Sequence, residues 1–353
     1  MDKKESFYWN IVKGTAIFLM LWGHCIQSCA MEDVIFFEDI VYKTIYSFHM
    51  PVFMLVSGYL FFYSFQKREL TDLLERRIRG MMQPIIMATV LNNIFNVILG
   101  YMLLGRVNIL FGTLFHGIWI DLWFLWAVLY CSLVVGVCCK LTNKPYLQLL
   151  LVVLGTFVIL LFPQWNYTLF MYPYFVVGFF CGMFRKKAKK LYNSIRYVVL
   201  VLFPVLLTFY ETEHYIYITP MFSEELGLYA SLEIAMFRWA IGFVGSIWLL
   251  TILEFLLSLG ARIPAVQHCL QAVSLLGRNS LQIYCLSASL LSGYLPHLYR
   301  KFVELVGDNL FAESAVVYDF CFTPLLAAAW SVFLYLLVVL LKRIRLHSLI
   351  FGR

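Results

Sequence analysis

The sequence predicts an all-α protein, a bundle of about ten transmembrane helices with both chain termini in the cytoplasm. Three observations lead to this prediction: the composition, the length of the apolar segments, and the distribution of basic residues between them. Of the 353 residues, 62% are hydrophobic and only 13% are charged, and the mean hydropathy is +0.82. Soluble domains are about half apolar and a quarter charged, so this composition excludes an ordinary soluble fold.

Apolar segments of near-spanning length follow one another along the whole chain. A helix crosses a bilayer with roughly 20 apolar residues. Because no repeat and no long polar region interrupts the series, we expect one integral membrane domain over residues 1–353. The predicted spans are 8–30, 42–65, 82–104, 121–139, 146–163, 168–184, 196–212, 232–257, 280–297 and 321–341.

The charges of the loops predict the orientation in the membrane. Basic residues cluster in the loops on one side, above all in RRIR from Arg76 and RKKAKK from Arg185, while the other side has few. The positive-inside rule therefore places the first side and both termini in the cytoplasm. Since this explains the formal net charge of +7, we expect contact with membrane lipid and no nucleic-acid partner. The cysteines form no CxxC pair and predict no metal site.

The first predicted span contains two ionisable residues. Its stretch KGTAIFLMLWGHC begins with Lys13 and places His24 eleven residues later. Eleven residues are almost three helical turns, so the two side chains share one helix face and lie roughly 16 Å apart. Lys13 alone is also explained as a flanking lysine that reaches the interface, and His24 as a packing histidine. Ionisable residues inside spans are rare, which favours a functional role.

A second histidine is predicted at the same depth as the first. The second span runs in the opposite direction and contains FHMPVFMLVSGYLF, with His49 near its outer end. At about 1.5 Å per residue, His24 and His49 both lie roughly 8–9 Å below the outer surface. Pro51 removes a backbone donor beside His49, and Gly58 allows close packing or a bend. We expect the two histidines to share a cavity, with a structural role as the alternative for His49.

The first cytoplasmic loop, QKRELTDLLERRIRGMMQP, contains a cluster of arginines. Arg76, Arg77 and Arg79 lie at the inner mouth of the third span. Retention of the loop in the cytoplasm is one explanation for their charge. The other is a polyphosphate site, because arginine binds phosphate oxygens through two parallel hydrogen bonds. Three arginines exceed what orientation requires, so all three are candidate ligand-binding residues.

Further candidate residues are predicted near the outer surface. Asp121, Trp123 and Trp126 lie at the start of the fourth span, where aromatic rings suit sugar stacking but also occur as interfacial belt residues. Glu233 and Arg238 lie near the outer end of the eighth span. Arg238 is expected either to bind the acceptor or to form an internal ion pair. All five are candidate substrate-binding residues.

Together these motifs resemble the acyltransferase-3 family. The resemblance rests on the Lys13-x10-His24 pattern, on FHMPVFMLVSGYLF and RRIRGMMQP, on DLWFLWAVLY at the fourth span and on GRNSLQIY at the ninth. The motifs follow the family's order along nearly the whole chain. The sequence looks most similar to the stand-alone branch with fucose 4-O-acetylase-like and exopolysaccharide-modifying enzymes.

The resemblance implies a bacterial cytoplasmic-membrane enzyme. Such enzymes transfer an acetyl or succinyl group from cytosolic acyl-CoA, as donor substrate and not as a resident cofactor, to a sugar hydroxyl. Carried over by position, Lys13 and His24 are essential, and Arg76, Arg77 and Arg79 bind the coenzyme. The family's basic residue is commonly arginine, so lysine at position 13 loses the bidentate fork.

The ninth span shows a second departure from the family pattern. Ser287 stands where many relatives have histidine, so no chemistry is assigned to it. The sequence also leaves open the acceptor, the choice between acetyl and succinyl, and whether the chain forms a homo-oligomer.

The chemistry implied by the resemblance assigns roles to the histidines. Acyl transfer from a thioester to an alcohol needs a base for the hydroxyl proton and donors for the developing oxyanion. A neutral imidazole, with an unperturbed pKa of about 6.5, suits the first task. We predict that His24 is the general base, that His49 orients it or hydrogen-bonds the acceptor, and that Lys13 stabilises charge on the coenzyme. A transient acyl-histidine is a less favoured variant.

A different class of function fits the composition equally well. A transporter or flippase for polysaccharide or lipid-linked sugar also needs many helices and a polar centre. Transporters often contain inverted repeats and broken helices at the bilayer midplane. The sequence shows no repeat, and its polar groups cluster in the first two spans and one cytoplasmic loop. The enzyme is therefore the favoured prediction.

Overall fold

The structure is a computed structural model, which describes residues 2–30, 36–104, 119, 122–290, 295–306 and 315–352. These residues are mostly helical and contain no strand. A single helical turn at Ala315–Val317 and a π-helical turn at Tyr318–Phe322 lead into α12. The helices are α1 Lys3–Cys29, α2 Ile40–Gln66, α3 Leu70–Leu104, α4 Trp123–Lys140, α5 Pro145–Ile159, α6 Trp165–Met183, α7 Arg185–Leu207, α8 Gly227–Gly260, α9 Pro264–Arg278, α10 Ser280–Ser289, α11 Leu295–Val306, α12 Thr323–Arg343 and α13 Leu346–Phe351.

The predicted all-α membrane fold is confirmed. Six of the described segments are long and apolar enough to cross a membrane. They are Ile40–Gln66, Leu70–Met102, Trp123–Lys140, Arg185–Leu207, Gly227–Gly260 and Tyr318–Arg343.

The remaining four of the ten predicted spans do not meet the same criterion. Although α1 and α6 have 27 and 19 residues, their polar side chains lower their hydropathy. The other two helices are too short, since α5 has 15 residues and α10 has only 10. The total of ten spans and the orientation of the termini therefore stay predictions.

Side-chain caps define where α1 and α2 begin. The Asp2 carboxylate accepts a hydrogen bond of 2.7 Å from the Glu5 amide, and the Asp39 carboxylate accepts one of 2.7 Å from the Tyr42 amide. Such caps satisfy amides at the helix start that have no partner within the helix. The two helices that carry the predicted histidines are thus each fixed at their first turn.

Glycines bring pairs of helices into backbone contact. A Cβ atom at Gly58 of α2 would lie 2.0 Å from the Phe175 carbonyl oxygen of α6, and one at Gly14 of α1 would lie 1.9 Å from the Val273 carbonyl oxygen of α9. Small residues permit this close approach in membrane helix bundles. As a result, α2 packs closely against α6, and α1 packs closely against α9.

Candidate active site

Two cavities contain most of the residues that the sequence singled out. The histidine cavity has a volume of about 590 Å³ and lies between the end of α1 and the first half of α2. It contains both predicted histidines, His24 and His49, and the predicted aromatic residue Trp123. The other residues that line it are Met20, Gln27, Ser28, Phe36, Phe37, Tyr42, Tyr46, Met50, Tyr217, Tyr284, Ser287, Ala288 and Pro296.

The two histidines approach each other from adjacent helices, as the depth argument predicted. The ring of Tyr46 contacts both, with its centroid 6.5 Å from that of His24 and 4.8 Å from that of His49. Both contacts are edge-to-face, the geometry that aromatic rings prefer. Tyr46 thus fixes the relative orientation of the two imidazoles.

The backbone selects the tautomer of His49. Its Nδ1 lies 2.8 Å from the Ile45 carbonyl oxygen one turn earlier in α2, and the residue is 3% exposed. A carbonyl oxygen only accepts, so Nδ1 carries the proton and the neutral ring keeps its lone pair on Nε2. His49 is therefore an oriented hydrogen-bond acceptor on the wall of the cavity.

The floor of the histidine cavity comes from α10. Ser287 and Tyr284 both line it, and the Ser287 hydroxyl donates to the Tyr284 carbonyl oxygen at 2.9 Å. From the sequence, no chemistry is expected at Ser287. Its position beside His24 and His49 makes it a candidate site residue all the same.

The sequence predicts only part of a group of aromatic rings that lies in the same cavity as the histidines. Trp123 was predicted, and its ring contacts Tyr167 of α6 at 4.9 Å and Tyr217 at 6.2 Å. Tyr217 belongs to the loop between α7 and α8, which carries tyrosines at alternate positions in YIY. That local pattern marks the loop as aromatic but does not show which cavity it reaches.

The other predicted outer residues lie away from this group of rings. Trp126 is 6% exposed and stacks on Trp119 at 4.6 Å, and it does not line the histidine cavity. Glu233 is exposed on α8. Asp121 lies outside the described residues.

Arg238 contacts a loop rather than either cavity. It is 1% exposed, and its guanidinium donates to backbone carbonyl oxygens of the segment between α7 and α8. Among the described residues Arg238 forms no ion pair with Glu233, and its role in acceptor binding stays a prediction. The carbonyl oxygens that the guanidinium reaches belong to Glu213, His214, Tyr215 and Thr219.

The arginine cavity has a volume of about 760 Å³ and lies at the opposite end of α2. All three predicted arginines line it. Gln282 of α10 and His347 of α13 also line it, and neither was predicted because each reaches the cavity from a distant part of the chain. The other lining residues are Ser64, Arg68, Asp72, Leu73, Glu75, Gly80, Met81, Gln83, Leu281, Phe351 and Gly352.

The three arginines differ in their partners. Arg76 bonds the Asp72 carboxylate at 2.5 Å, and Arg79 bonds the Glu75 carboxylate at 2.8 Å. Arg77 is less exposed, and its guanidinium lies 4.8 Å from the centroid of the Phe61 ring. Of these three arginines, Arg77 is therefore the one that a phosphate would meet without displacing a carboxylate of the described residues.

Lys13 lines neither cavity. It is half-buried on α1, in the turn next to Gly14, where α1 contacts α9. Its eleven-residue separation from His24 is preserved within one continuous helix. In this arrangement Lys13 does not contact the reacting groups directly.

One short helix borders both cavities. Leu281 and Gln282 line the arginine cavity, whereas Tyr284, Ser287 and Ala288 line the histidine cavity, and all five belong to α10. At about 1.5 Å per residue, the span from Gln282 to Ser287 is roughly 7.5 Å. The arginine cavity and the histidine cavity thus lie next to each other along α10.

An acyltransferase domain defines the family of this chain. A family model with that description, the acyltransferase-3 model, matches residues 6–344. The chain therefore belongs to the acyltransferase-3 family and is an acyltransferase with several membrane-spanning helices. The match gives no support to the transporter alternative. No curated protein and no solved structure shows significant similarity to the chain.

Proposed function

We propose that the protein transfers an acyl group, most favourably acetyl, from cytosolic acyl-CoA to a hydroxyl of a cell-surface or lipid-linked sugar. It would act as a multi-pass enzyme of the bacterial cytoplasmic membrane. The observation that carries the proposal is the shared border along α10, which joins a cavity rich in arginine to a cavity with two histidines. The fucose 4-O-acetylase-like branch is the proposed subgroup of the family.

The arginine cavity would bind the coenzyme. CoA carries several phosphate groups, and arginine forks match phosphate oxygens. Within the described residues Arg77 has no carboxylate partner, and Arg76 and Arg79 flank it in the sequence of α3. The thin acyl-bearing arm would then extend along α10 past Gln282 toward Ser287. This path brings the thioester to the hydroxyl directly, which favours direct transfer over an acyl-histidine relay.

The histidine cavity would perform the transfer. His24 accepts the proton of the sugar hydroxyl as its oxygen attacks the thioester carbonyl carbon. The tetrahedral intermediate collapses, the carbon–sulfur bond breaks, and the leaving thiolate takes the proton from the His24 imidazolium. The products are the O-acyl sugar and free CoA, so protons and charge balance.

Other residues would position the reactants. His49, with its lone pair on Nε2, accepts a hydrogen bond from the sugar or from His24. Lys13 lies toward the opposite end of α1 from His24 and would offset negative charge on the coenzyme. Trp123 and its aromatic neighbours would cover an apolar face of the sugar.

The proposal is tested by CoA release in proteoliposomes with acetyl-CoA outside and mixed bacterial glycans on both sides of the bilayer. We expect release that depends on glycan, and a loss of at least about a hundredfold in His24→Ala, because a general base contributes at least that factor. CoA affinity and melting temperature in His24→Ala should match the wild type. Release that is equal in the two proteins would reject His24 as the base, and no release from folded wild type would reject the transferase.

A further inference from the structure

The loop between α7 and α8 brings an aromatic side chain into the histidine cavity. We call residues 210–219 the tyrosine loop. Tyr217 in this loop is 43% exposed and lines the cavity. Its ring centroid lies 6.1 Å from that of Tyr46, 6.2 Å from that of Trp123 and 5.9 Å from that of Tyr167. The loop thereby completes an aromatic wall that begins on α4 and α6.

Arg238 fixes this loop through its backbone. Its Nη2 donates to the carbonyl oxygens of Glu213 at 2.7 Å, Tyr215 at 3.2 Å and Thr219 at 2.8 Å. Its Nε donates to the His214 carbonyl oxygen at 2.8 Å. One buried guanidinium thus binds carbonyl groups on both sides of Tyr217. A lysine ammonium, a single point with three donors, does not match this planar arrangement.

Further hydrogen bonds hold the flanks of the tyrosine loop. The Tyr215 hydroxyl donates to the Phe37 carbonyl oxygen at 2.9 Å, and the Tyr210 hydroxyl donates to the His214 carbonyl oxygen at 3.2 Å. Within the described residues, the Tyr217 hydroxyl makes no such bond. The loop is therefore fixed around Tyr217, while Tyr217 itself presents a ring face and a hydroxyl to the cavity.

We propose that Tyr217 and Trp123, whose rings both contact Tyr167, form the subsite for a pyranose ring of the acceptor, and that Arg238 is its positioning residue. A pyranose has an apolar C–H face that fits against aromatic rings, and hydroxyl groups that suit a tyrosine hydroxyl. This assignment rests on the proposed acyl transfer and names the part of the cavity that recognises the acceptor. It also gives Arg238 a role in the site without contact to substrate.

The subsite is tested by kinetics with acetyl-CoA and mixed bacterial glycans. Tyr217→Leu removes the ring and should raise the half-saturating glycan concentration roughly tenfold, the upper range for an aromatic contact. Tyr217→Phe keeps the ring face and should change it by less than about threefold. The half-saturating acetyl-CoA concentration should stay at the wild-type value in both. If Tyr217→Leu binds glycan as the wild type does, the subsite is wrong although the transferase stands.

The positioning role of Arg238 is tested by combining variants. Arg238→Lys should raise the half-saturating glycan concentration without changing that of acetyl-CoA. Because Arg238 acts through Tyr217, the double variant with Tyr217→Leu should be no worse than Tyr217→Leu alone. Effects that multiply would overturn this role. Wild-type protein that releases no CoA with any glycan would overturn the proposed function and the subsite with it.

Discussion

At the scale of single residues, the arginines of the cluster look alike in the sequence but have different interaction partners in the structure. Arg76 and Arg79 each bind a carboxylate one turn earlier, whereas Arg77 lies over the Phe61 ring. A carboxylate must be displaced before a phosphate can bind Arg76 or Arg79. Arg77 therefore offers the strongest phosphate contact of the three.

This difference predicts an order of effects on CoA affinity. Arg77→Ala should weaken CoA binding at least about tenfold, since a hydrogen bond to a charged group contributes that much. Arg79→Ala, the matched control on the same helix, should weaken it less. Isothermal titration calorimetry with CoA measures the effect, and pantetheine, which lacks the phosphates, should bind all three proteins equally. If Arg77→Ala binds CoA with wild-type affinity, Arg77 is not part of the donor site.

At the scale of helices, α1, which carries His24, makes a close backbone contact with α9. A Cβ atom at Gly14 would lie 1.9 Å from the Val273 carbonyl oxygen, and one at Gly277 would lie 1.7 Å from the Asn10 carbonyl oxygen. Backbone atoms cannot rotate away as a side chain can. A methyl group here forces the two helices apart.

We therefore expect Gly14→Ala to destabilise the protein by about 1–3 kcal/mol, the usual range for overpacking. Gly80→Ala is the control, because no atom lies within 4 Å of the added Cβ and alanine favours the helix. Thermal unfolding in detergent, followed by tryptophan fluorescence, compares the two variants. Equal melting temperatures for Gly14→Ala and Gly80→Ala would show that α1 and α9 can move apart without a loss of stability.

The tyrosine loop should depend on pH through His214. Its Nδ1 accepts a hydrogen bond of 2.9 Å from the Glu211 amide, and burial lowers the pKa of His214 below its ordinary value. Glu211 and Glu213 raise this pKa, and Arg238 lowers it. In the unfolded loop the histidine pKa is about 6.5, so the stabilisation is complete above that pH and is lost as the pH falls toward the folded value.

Hydrogen exchange of residues 211–219 tests this dependence. After correction for intrinsic rates, exchange in the wild type should increase from pH 7.5 to pH 5.5. His214→Asn keeps an acceptor for the Glu211 amide but does not titrate, so its exchange should change less. The same pH response in both proteins would exclude His214 as its source.

At the scale of the whole molecule, the sequence predicts local features better than distant contacts. His24 and His49 stand out because ionisable residues are rare in apolar helices, and equal depth on antiparallel helices correctly places them in one cavity. The all-α membrane fold follows from the composition together with the length of the apolar segments. The arginine cluster is likewise visible as a local excess of charge.

The cavity residues that the sequence does not predict come from segments far apart in the chain. Gln83 donates to the Leu349 carbonyl oxygen across 266 positions, which brings α13 and His347 to the arginine cavity. Tyr217 reaches the histidine cavity on a loop whose backbone accepts hydrogen bonds from Arg238 of the distant helix α8. Neither contact follows from periodicity, since each depends on how distant helices pack.

In the proposed reaction, donor and acceptor enter at opposite ends of the helix bundle and meet along α10. The direct measurement uses inverted bacterial membrane vesicles, whose cytoplasmic face points outward, with glycan both trapped inside and present outside. Radiolabelled acetyl-CoA, which does not cross the bilayer, is added outside. We expect wild-type vesicles to acetylate the trapped glycan and His24→Ala vesicles not to do so. Label found only on the outside glycan would contradict this expectation.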